Sequence, residues 1–320
     1  RQGRRRRHRP FRSTPVHGGA LRRDDEMNSS STAHPAAHAA SLPQEVRLVV
    51  RHGSATDVGR VRTANEDSLL AGSPVFLVAD GMGGHRSGGT ASAHAVGAFE
   101  DLVGHTFVTS REFNRRLTRA ARNVAALGTG ERAPGSTLTG LLLSRQGALP
   151  CLRVVNIGDS RTYHLSTQSF SQVTHDHSEV QELIDSGQLD QARALSSRNR
   201  NVITRALGAG GGDQVVADQY LLPATMGDRF IICSDGLSGH VAESLIEMVA
   251  RSVPDPRNAA HELVALALAA GGRDNVTVIV VDVVDVFPPW EDTQVDDTTL
   301  PRATGSDSTV PTPASRRSCP

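Results

Sequence analysis

The sequence predicts an α+β fold in which antiparallel sheets are covered by helices. Strand signals arrive in adjacent runs rather than alternating singly with helices, and the helical patterns come in two pairs, one in each half of the chain. A doubly wound parallel sheet would need a helix between successive strands. With 320 residues and 38% hydrophobic content the chain can bury one large core, so a single domain with tails is expected.

Residues 1–45 read as a disordered segment, Arg-rich in RQGRRRRHRPFR and then rich in Ser, Ala, His and Pro. The opening has the charge of a signal n-region but no apolar stretch behind it, so no secretion signal is expected. It reads as a solvated tail or as sequence upstream of a start at Met27, with a nucleic-acid-touching arm as the alternative. A domain is expected over 46–287. Val46, Leu48 and Val50 alternate with Arg47 and Arg51 as a first strand, and PVFLVADG is a second strand closed by Asp80. Ala95, Val96, Phe99, Leu102 and Val103 fall on helical spacing. A second helix starts at a capping box, Thr109 to Glu112, carries Phe113, Leu117, Ala120, Val124 and Leu127 on one face, and stops at Gly128. TLTGLLL, LRVVNI, TYHL and FSQVT follow as strands of a meander or successive hairpins. FIICSDG is a strand closed by Asp235, helical patterns return at 241–251 and 257–270, and VTVIVVDV is the last strand. From Pro288 to 320 the composition is again that of a disordered tail.

Composition excludes several function classes. The formal net charge is +0, so no global field draws the chain to nucleic acid or an anionic membrane. All 34 basic residues are Arg, which rules out Schiff-base chemistry and a P-loop lysine. GAGGGD at 208–213 is then a turn and not a nucleotide loop. Cys151, Cys233 and Cys319 are odd in number and widely spaced, as in a reduced cytoplasmic protein, and Cys233 reads as a core thiol. No run of about 18 apolar residues predicts a membrane span.

Asp80, Asp235 and Asp274 stand at the ends of separate apolar runs, where core meets surface. Singly, each Asp-Gly would read as a turn. Together, several carboxylates sharing a partly dry site need a neutralising cation. With oxygen donors and no His or Cys at zinc-like spacing, that cation is Mg²⁺ or Mn²⁺.

VRTANEDS, VADGMGGH, GSTLTG, NIGDSR, ICSDGL and GRDNVTV, in this order, resemble the motif series of the PP2C-type metal-dependent protein serine/threonine phosphatases of bacteria. The resemblance covers about residues 47–286 and implies a four-layer α-β-β-α sandwich. By resemblance Asp80 bridges two metal ions, Gly81 gives its carbonyl to the second, and Asp235 and Asp274 complete the first. Glu66 reaches the second ion through water, with Asp67 and Asn275 supporting the ligands from behind, and Arg62 grips the substrate phosphate. Asp159, with Asp235, matches a weaker third metal site or else stabilises a turn. The family often has an acid four positions after the SDG aspartate; here Gly239 stands there, followed by His240, so the third site is expected either to bind more weakly or to rely on water or His240.

Animal members carry a His directly after the DG pair, where this chain has Met82. His85 is then the candidate general acid, or a loop histidine, and a metal-bound water is the alternative. Ser136, Thr137 and Thr139 read as structural hydroxyls. Residues 174–210 resemble the flap of bacterial members, with a short helix at Val180, Leu183 and Ile184 and an Arg-rich stretch from Arg193 to Arg205; a surface insertion is the other reading. The function implied is hydrolysis of phosphoserine and phosphothreonine on proteins by a cytoplasmic monomer opposing a Ser/Thr kinase. The alternative is a non-catalytic phosphoprotein-binding pseudophosphatase, which loss of the aspartates would mark; all are present.

Overall fold

The structure, a computed structural model, describes residues 46–288 apart from 84–86, 129–132, 191–192, 194–196, 198, 200–201 and 209–214. The N-terminal segment 1–45, the tail beyond Pro288, His85, parts of the Arg-rich stretch and the turn beyond Gly208 lie outside the described residues.

Two antiparallel sheets form the centre. One has the order β1 (Arg47–Asp57), β11 (Val276–Phe287), β10 (Arg229–Cys233), β7 (Arg161–Leu165) and β8 (Phe170–Gln172). The other runs β2 (Asp67–Gly72), β3 (Val75–Met82), β5 (Leu138–Gln146), β6 (Leu149–Ile157) and β9 (Asp218–Pro223), with the two-residue β4 (Gly135–Ser136) on the end of β3. Side-chain alternation explains why the central strands are continuously apolar rather than half polar. On β3, Phe76 and Val78 join Leu141, Val154, Phe230, Ile279 and Val281 between the sheets. The intervening Val75, Leu77 and Ala79 face outward against α1 (Ser87–Gly97) and α2 (Ser110–Ala125). On β11, Val276, Val278 and Val280 face the opposite helix layer, α4 (Asp235–Ser238), α5 (Glu243–Ser252) and α6 (Pro256–Ala269). The remaining helix, α3 (Glu179–Asp185), lies between β8 and β9 in the chain, and the result is the expected α-β-β-α sandwich.

Local rules set the helix ends. Thr109 Oγ1 accepts the Glu112 amide at 3.2 Å and Glu112 Oε2 accepts the Thr109 amide at 2.9 Å, the capping box read from sequence. Asp255 caps α6 at the Asn258 amide, with Pro256 as first helical residue.

The structure differs from the sequence reading in three places. The first helix stops at Gly97, a poor helix former, and Phe99 and Leu102 reach the core through a separate turn, Glu100–Leu102, leaving Val103 42% exposed. Of the two readings of the strands from Leu138 to Gln172, the structure takes successive hairpins: β5 and β6 pair in one sheet, and the chain then crosses at Gly158–Ser160 so that β7 and β8 pair in the other. Asp80 does not end its strand, because β3 continues to Met82 and pairs with β4. Neither β2 nor β9 was expected, since each is a six-residue run without sustained alternation.

Candidate active site

The acids converge where the two sheets meet at one end of the sandwich. β3 carries Asp80, and Asp67 stands opposite it in the β2–β3 register. β10 ends at Cys233, Ser234 follows, and Asp235 opens α4. Asp274 and Asn275 immediately precede β11, and Asp159 lies in the crossing after β6. A cavity of about 420 Å³ is lined by Arg62, Glu66, Asp80, Asp159, Asp235 and Asp274, with Gly81, Met82 and Ile203 also in its wall.

Side-chain amides and hydroxyls hold this ring. Asn275 Oδ1 accepts the Glu66 amide at 2.8 Å, while its Nδ2 donates to the Val58 and Ala64 carbonyls, both at 2.9 Å. Ser92 of α1 donates to the Glu66 carbonyl from behind. Thr137 Oγ1 accepts the Asp80 amide at 2.9 Å and lies 2.8 Å from Ser160 Oγ, joining the Asp80 strand to the Asp159 crossing. Ser234 Oγ donates to Asp67 Oδ2 at 2.8 Å and accepts the Thr277 amide. Close approach of α1 to β3 requires glycine: a Cβ on Gly81 would lie 2.1 Å from the Gly88 carbonyl oxygen, and one on Gly88 would lie 2.8 Å from Glu66 Oε1.

Burial and mutual repulsion shape the electrostatics. Desolvation, joined by the charges of Asp67, Asp235, Asp159 and Asp274, pushes the Asp80 carboxyl well above the usual range. Desolvation raises Asp67 to about 7, against the pull of Thr277 and Ser234. Asp159 rises to about 7 by desolvation and the nearby Asp235 charge. Asp235 rises through desolvation and the Asp274 charge. Among the described residues of the cavity lining, only Arg62 opposes these acids; its Nη2 donates to Asp274 Oδ2 at 2.8 Å, which holds its own pKa up.

Four carboxylate oxygens, Glu66 Oε1, Asp67 Oδ1, Asp159 Oδ1 and Asp235 Oδ1, are buried without a hydrogen-bond partner among the described residues. Native interiors rarely leave such groups unpaired. A hard divalent cation fits this donor set, which is all oxygen. Among the described residues no three His, Cys, Asp or Glu side chains stand at the spacing of a closed coordination shell. The acids ring a cavity with room for ions that keep part of their water, as Mg²⁺ does.

The structure thus brings Arg62, Glu66, Asp80, Gly81, Asp159, Asp235, Asp274 and Asn275 to one cavity, with Asp67 buried beside it at 9% exposure. His85 lies outside the described residues. Gly239 ends α4 with its amide on the Asp235 carbonyl at 2.7 Å, and His240 Nδ1 stands 3.3 Å from the Gly236 carbonyl oxygen. Sequence reasoning did not find Ser92, Ser160 or Ser234 as supports. Ser160 and Ser234 show only a small hydroxyl next to a motif acid, which is common in any turn, and Ser92, between Ala91 and Ala93 in α1, shows no local signal at all. Thr137 was read as a structural hydroxyl, and what it supports is Asp80.

A two-sheet antiparallel sandwich with an acid-ringed cavity at the strand ends is the class of protein these observations define. The family model described as "Protein phosphatase 2C" matches residues 60–266. The chain is 39% identical over 247 residues to the serine/threonine protein phosphatase PstP of Mycobacterium tuberculosis, a match covering 75% of this chain and 46% of that protein. It is 32% identical over 241 residues to the serine/threonine phosphatase Stp of Listeria monocytogenes, covering 71% of this chain and 93% of the relative. A crystal structure of the PstP catalytic domain described as in complex with two manganese ions superposes with a TM-score of 0.66 at 35% identity, over 74% of this chain and all of that one. The chain belongs to the protein phosphatase 2C family. It spans about half the length of the mycobacterial relative.

Proposed function

We propose that residues 46–287 form the catalytic domain of a Mg²⁺- or Mn²⁺-dependent phosphatase that hydrolyses phosphoserine and phosphothreonine on proteins. The observation that carries this reading is the set of buried, unpartnered carboxylate oxygens around one cavity that also holds an arginine. Asp80 and the Gly81 carbonyl, with Asp235 and Asp274, would hold two cations. Glu66 would act through water, and Asp159 with Asp235 would hold a third, weaker ion. When bound, divalent cations supply Lewis acidity toward water and toward phosphoryl oxygens.

The chain's own residues bind and orient. Arg62 is half exposed and planar, so it offers two N–H groups to phosphoryl oxygens while Asp274 aligns it. Asn275 and Ser92 clamp the Glu66 backbone from opposite sides, which keeps its carboxylate aimed into the cavity. Asp67 adds negative charge beneath Asp80 and strengthens the site's demand for cations. Ile203 and Met82 give the wall an apolar face for the side chain that carries the phosphate. His85 is the candidate proton donor to the departing alkoxide.

The substrates of this reading are phosphoproteins, with a bacterial Ser/Thr kinase as the opposing activity and a cytoplasmic monomer as the working form. Among the described residues no helix is long and apolar enough to cross a membrane. The test is phosphate release from a phosphothreonine peptide by the full-length protein with Mn²⁺. Turnover that EDTA abolishes supports the proposal. Peptide binding without turnover above the EDTA control would make the chain a non-catalytic phosphoprotein binder.

A further inference from the structure

Asp159 and Ile203 line the same cavity from segments far apart in the chain, and one imidazole joins those segments. His177 is 6% exposed. Its Nδ1 accepts the Gly158 amide at 3.0 Å, and its own amide donates to the Gly158 carbonyl at 2.9 Å. Its Nε2 lies 3.1 Å from Asp218 Oδ2, and the other oxygen of Asp218 accepts Arg205 Nη1 at 2.6 Å. The His177 carbonyl also accepts the Thr204 amide at 2.9 Å, and Leu207 exchanges backbone hydrogen bonds with Ser136. The segment from Ile203 to Leu207 is thereby tied to the crossing that carries Asp159.

A ring nitrogen that accepts an N–H carries no proton, so this geometry assigns the proton to Nε2, where it is donated to Asp218. Burial, the larger influence, lowers the pKa of the ring and keeps it neutral. Gly158 has little freedom of its own. It sits at φ +102°, and a Cβ there would lie 2.6 Å from Thr137 Cγ2, so Thr137 bounds it on one side while the imidazole holds its amide. Asp159 follows directly, and its Oδ1 has no hydrogen-bond partner among the described residues. The aim of that carboxylate therefore depends on the peptide before it.

We propose that His177 is a positioning residue that relays the grip of Arg205 on Asp218 to the Gly158–Asp159 peptide, so that the Ile203–Leu207 segment sets where the Asp159 carboxylate points. The relay itself stands on hydrogen bonds. Its consequence for cation binding rests on the proposed phosphatase reading. Two substitutions separate its halves. His177→Asn keeps an acceptor near the Nδ1 position and loses the reach to Asp218. His177→Gln reaches Asp218 and offers Gly158 nothing.

The experiment is ¹⁵N NMR of the His177 ring and the Gly158 amide in the full-length protein, paired with Mn²⁺ titration calorimetry. The wild type is expected to show a neutral ring protonated at Nε2. Arg205→Ala, at an exposed position where folding is not at risk, and His177→Gln are both expected to move the Gly158 resonance. Both should also weaken the weakest Mn²⁺ site about 10- to 100-fold, the range for residues supporting a metal ligand, and leave the tighter sites unmoved. His177→Asn should hold the Gly158 resonance and make it insensitive to Arg205→Ala. A ring protonated at Nδ1, or an Arg205→Ala protein whose Gly158 resonance and Mn²⁺ isotherm match the wild type, overturns the proposal. A wild-type protein that binds Mn²⁺ but releases no phosphate would count against the phosphatase reading alone, because the ring tautomer still decides the relay.

Discussion

The side-chain oxygen of Asn275 accepts the backbone amide of Glu66 at 2.8 Å across 209 residues of sequence. Its nitrogen meanwhile closes the Val58 and Ala64 carbonyls, so one amide group fixes the whole loop that carries Arg62 and Glu66. Asn275→Ala removes three hydrogen bonds from a residue that is 5% exposed. The expected cost is about 1–3 kcal/mol in urea unfolding, with kcat/KM for a phosphopeptide falling about 10- to 100-fold. Loss of stability with unchanged kcat/KM would separate the loop from the chemistry.

Stability of the metal-free protein should fall as pH rises. Asp67 and Asp159 are raised to about 7 in the folded protein and burial raises Asp80 as well, whereas in the unfolded chain each titrates near 4. Between those values the folded state binds more protons than the unfolded state, so the slope of unfolding free energy against pH is negative. With EDTA present, melting at pH 8 should lie below melting at pH 5.5 by at least about 2–4 °C, the displacement one kcal/mol produces in a domain of this size. Saturating Mn²⁺ should remove or reverse the difference. A metal-free Tm that rises with pH over this window would contradict the arrangement of the acids.

Arg229 offers a contrast far from the chemistry. It is 7% exposed, its Nη2 lies 2.9 Å from Asp282 Oδ2, and it donates to the Ala250, Val253 and Pro254 carbonyls at the end of α5. Arg229→Met leaves Asp282 buried opposite an apolar chain and three carbonyls without their donor. The expected loss is about 3–5 kcal/mol, read by urea unfolding, with the kcat of the folded fraction unchanged.

The glycine pair at the mouth of α1 is equally specific. A Cβ at Gly81 meets the backbone oxygen of Gly88 at 2.1 Å, and neither backbone can yield without moving Glu66. Gly81→Ala should cost about 1–3 kcal/mol or more and reduce Mn²⁺ affinity together with turnover. Wild-type calorimetry for this variant would show that α1 can retreat without consequence.

How far the sequence speaks depends on whether the signal is local. The capping box at Thr109, the apolar strand into Asp80 and the motif acids are local signals, and Glu66, Asp80, Asp159, Asp235 and Asp274 all line one cavity, with Asp67 buried beside it. Which sheet a strand joins is not local. β6 and β7 are separated by only Gly158, Asp159 and Ser160, yet they belong to different sheets, and nothing in NIGDSR announces the crossing. Arg62 was read as a phosphate ligand, and its ion pair with Asp274 links positions 212 apart that no periodicity could join. β2 was missed because DSLLAG is too short to alternate convincingly, although it is the strand that sets Asp67 opposite Asp80.

Anomalous diffraction at the manganese edge, from crystals soaked in Mn²⁺, decides whether Asp80, Asp235 and Asp274 hold divalent cations in the cavity they line. The account predicts two peaks in contact with the Asp80 carboxylate, one of them shared with Asp235 and Asp274, both absent in crystals of Asp80→Asn. A cavity with no anomalous peak under saturating Mn²⁺, or peaks that persist unchanged in Asp80→Asn, would contradict it.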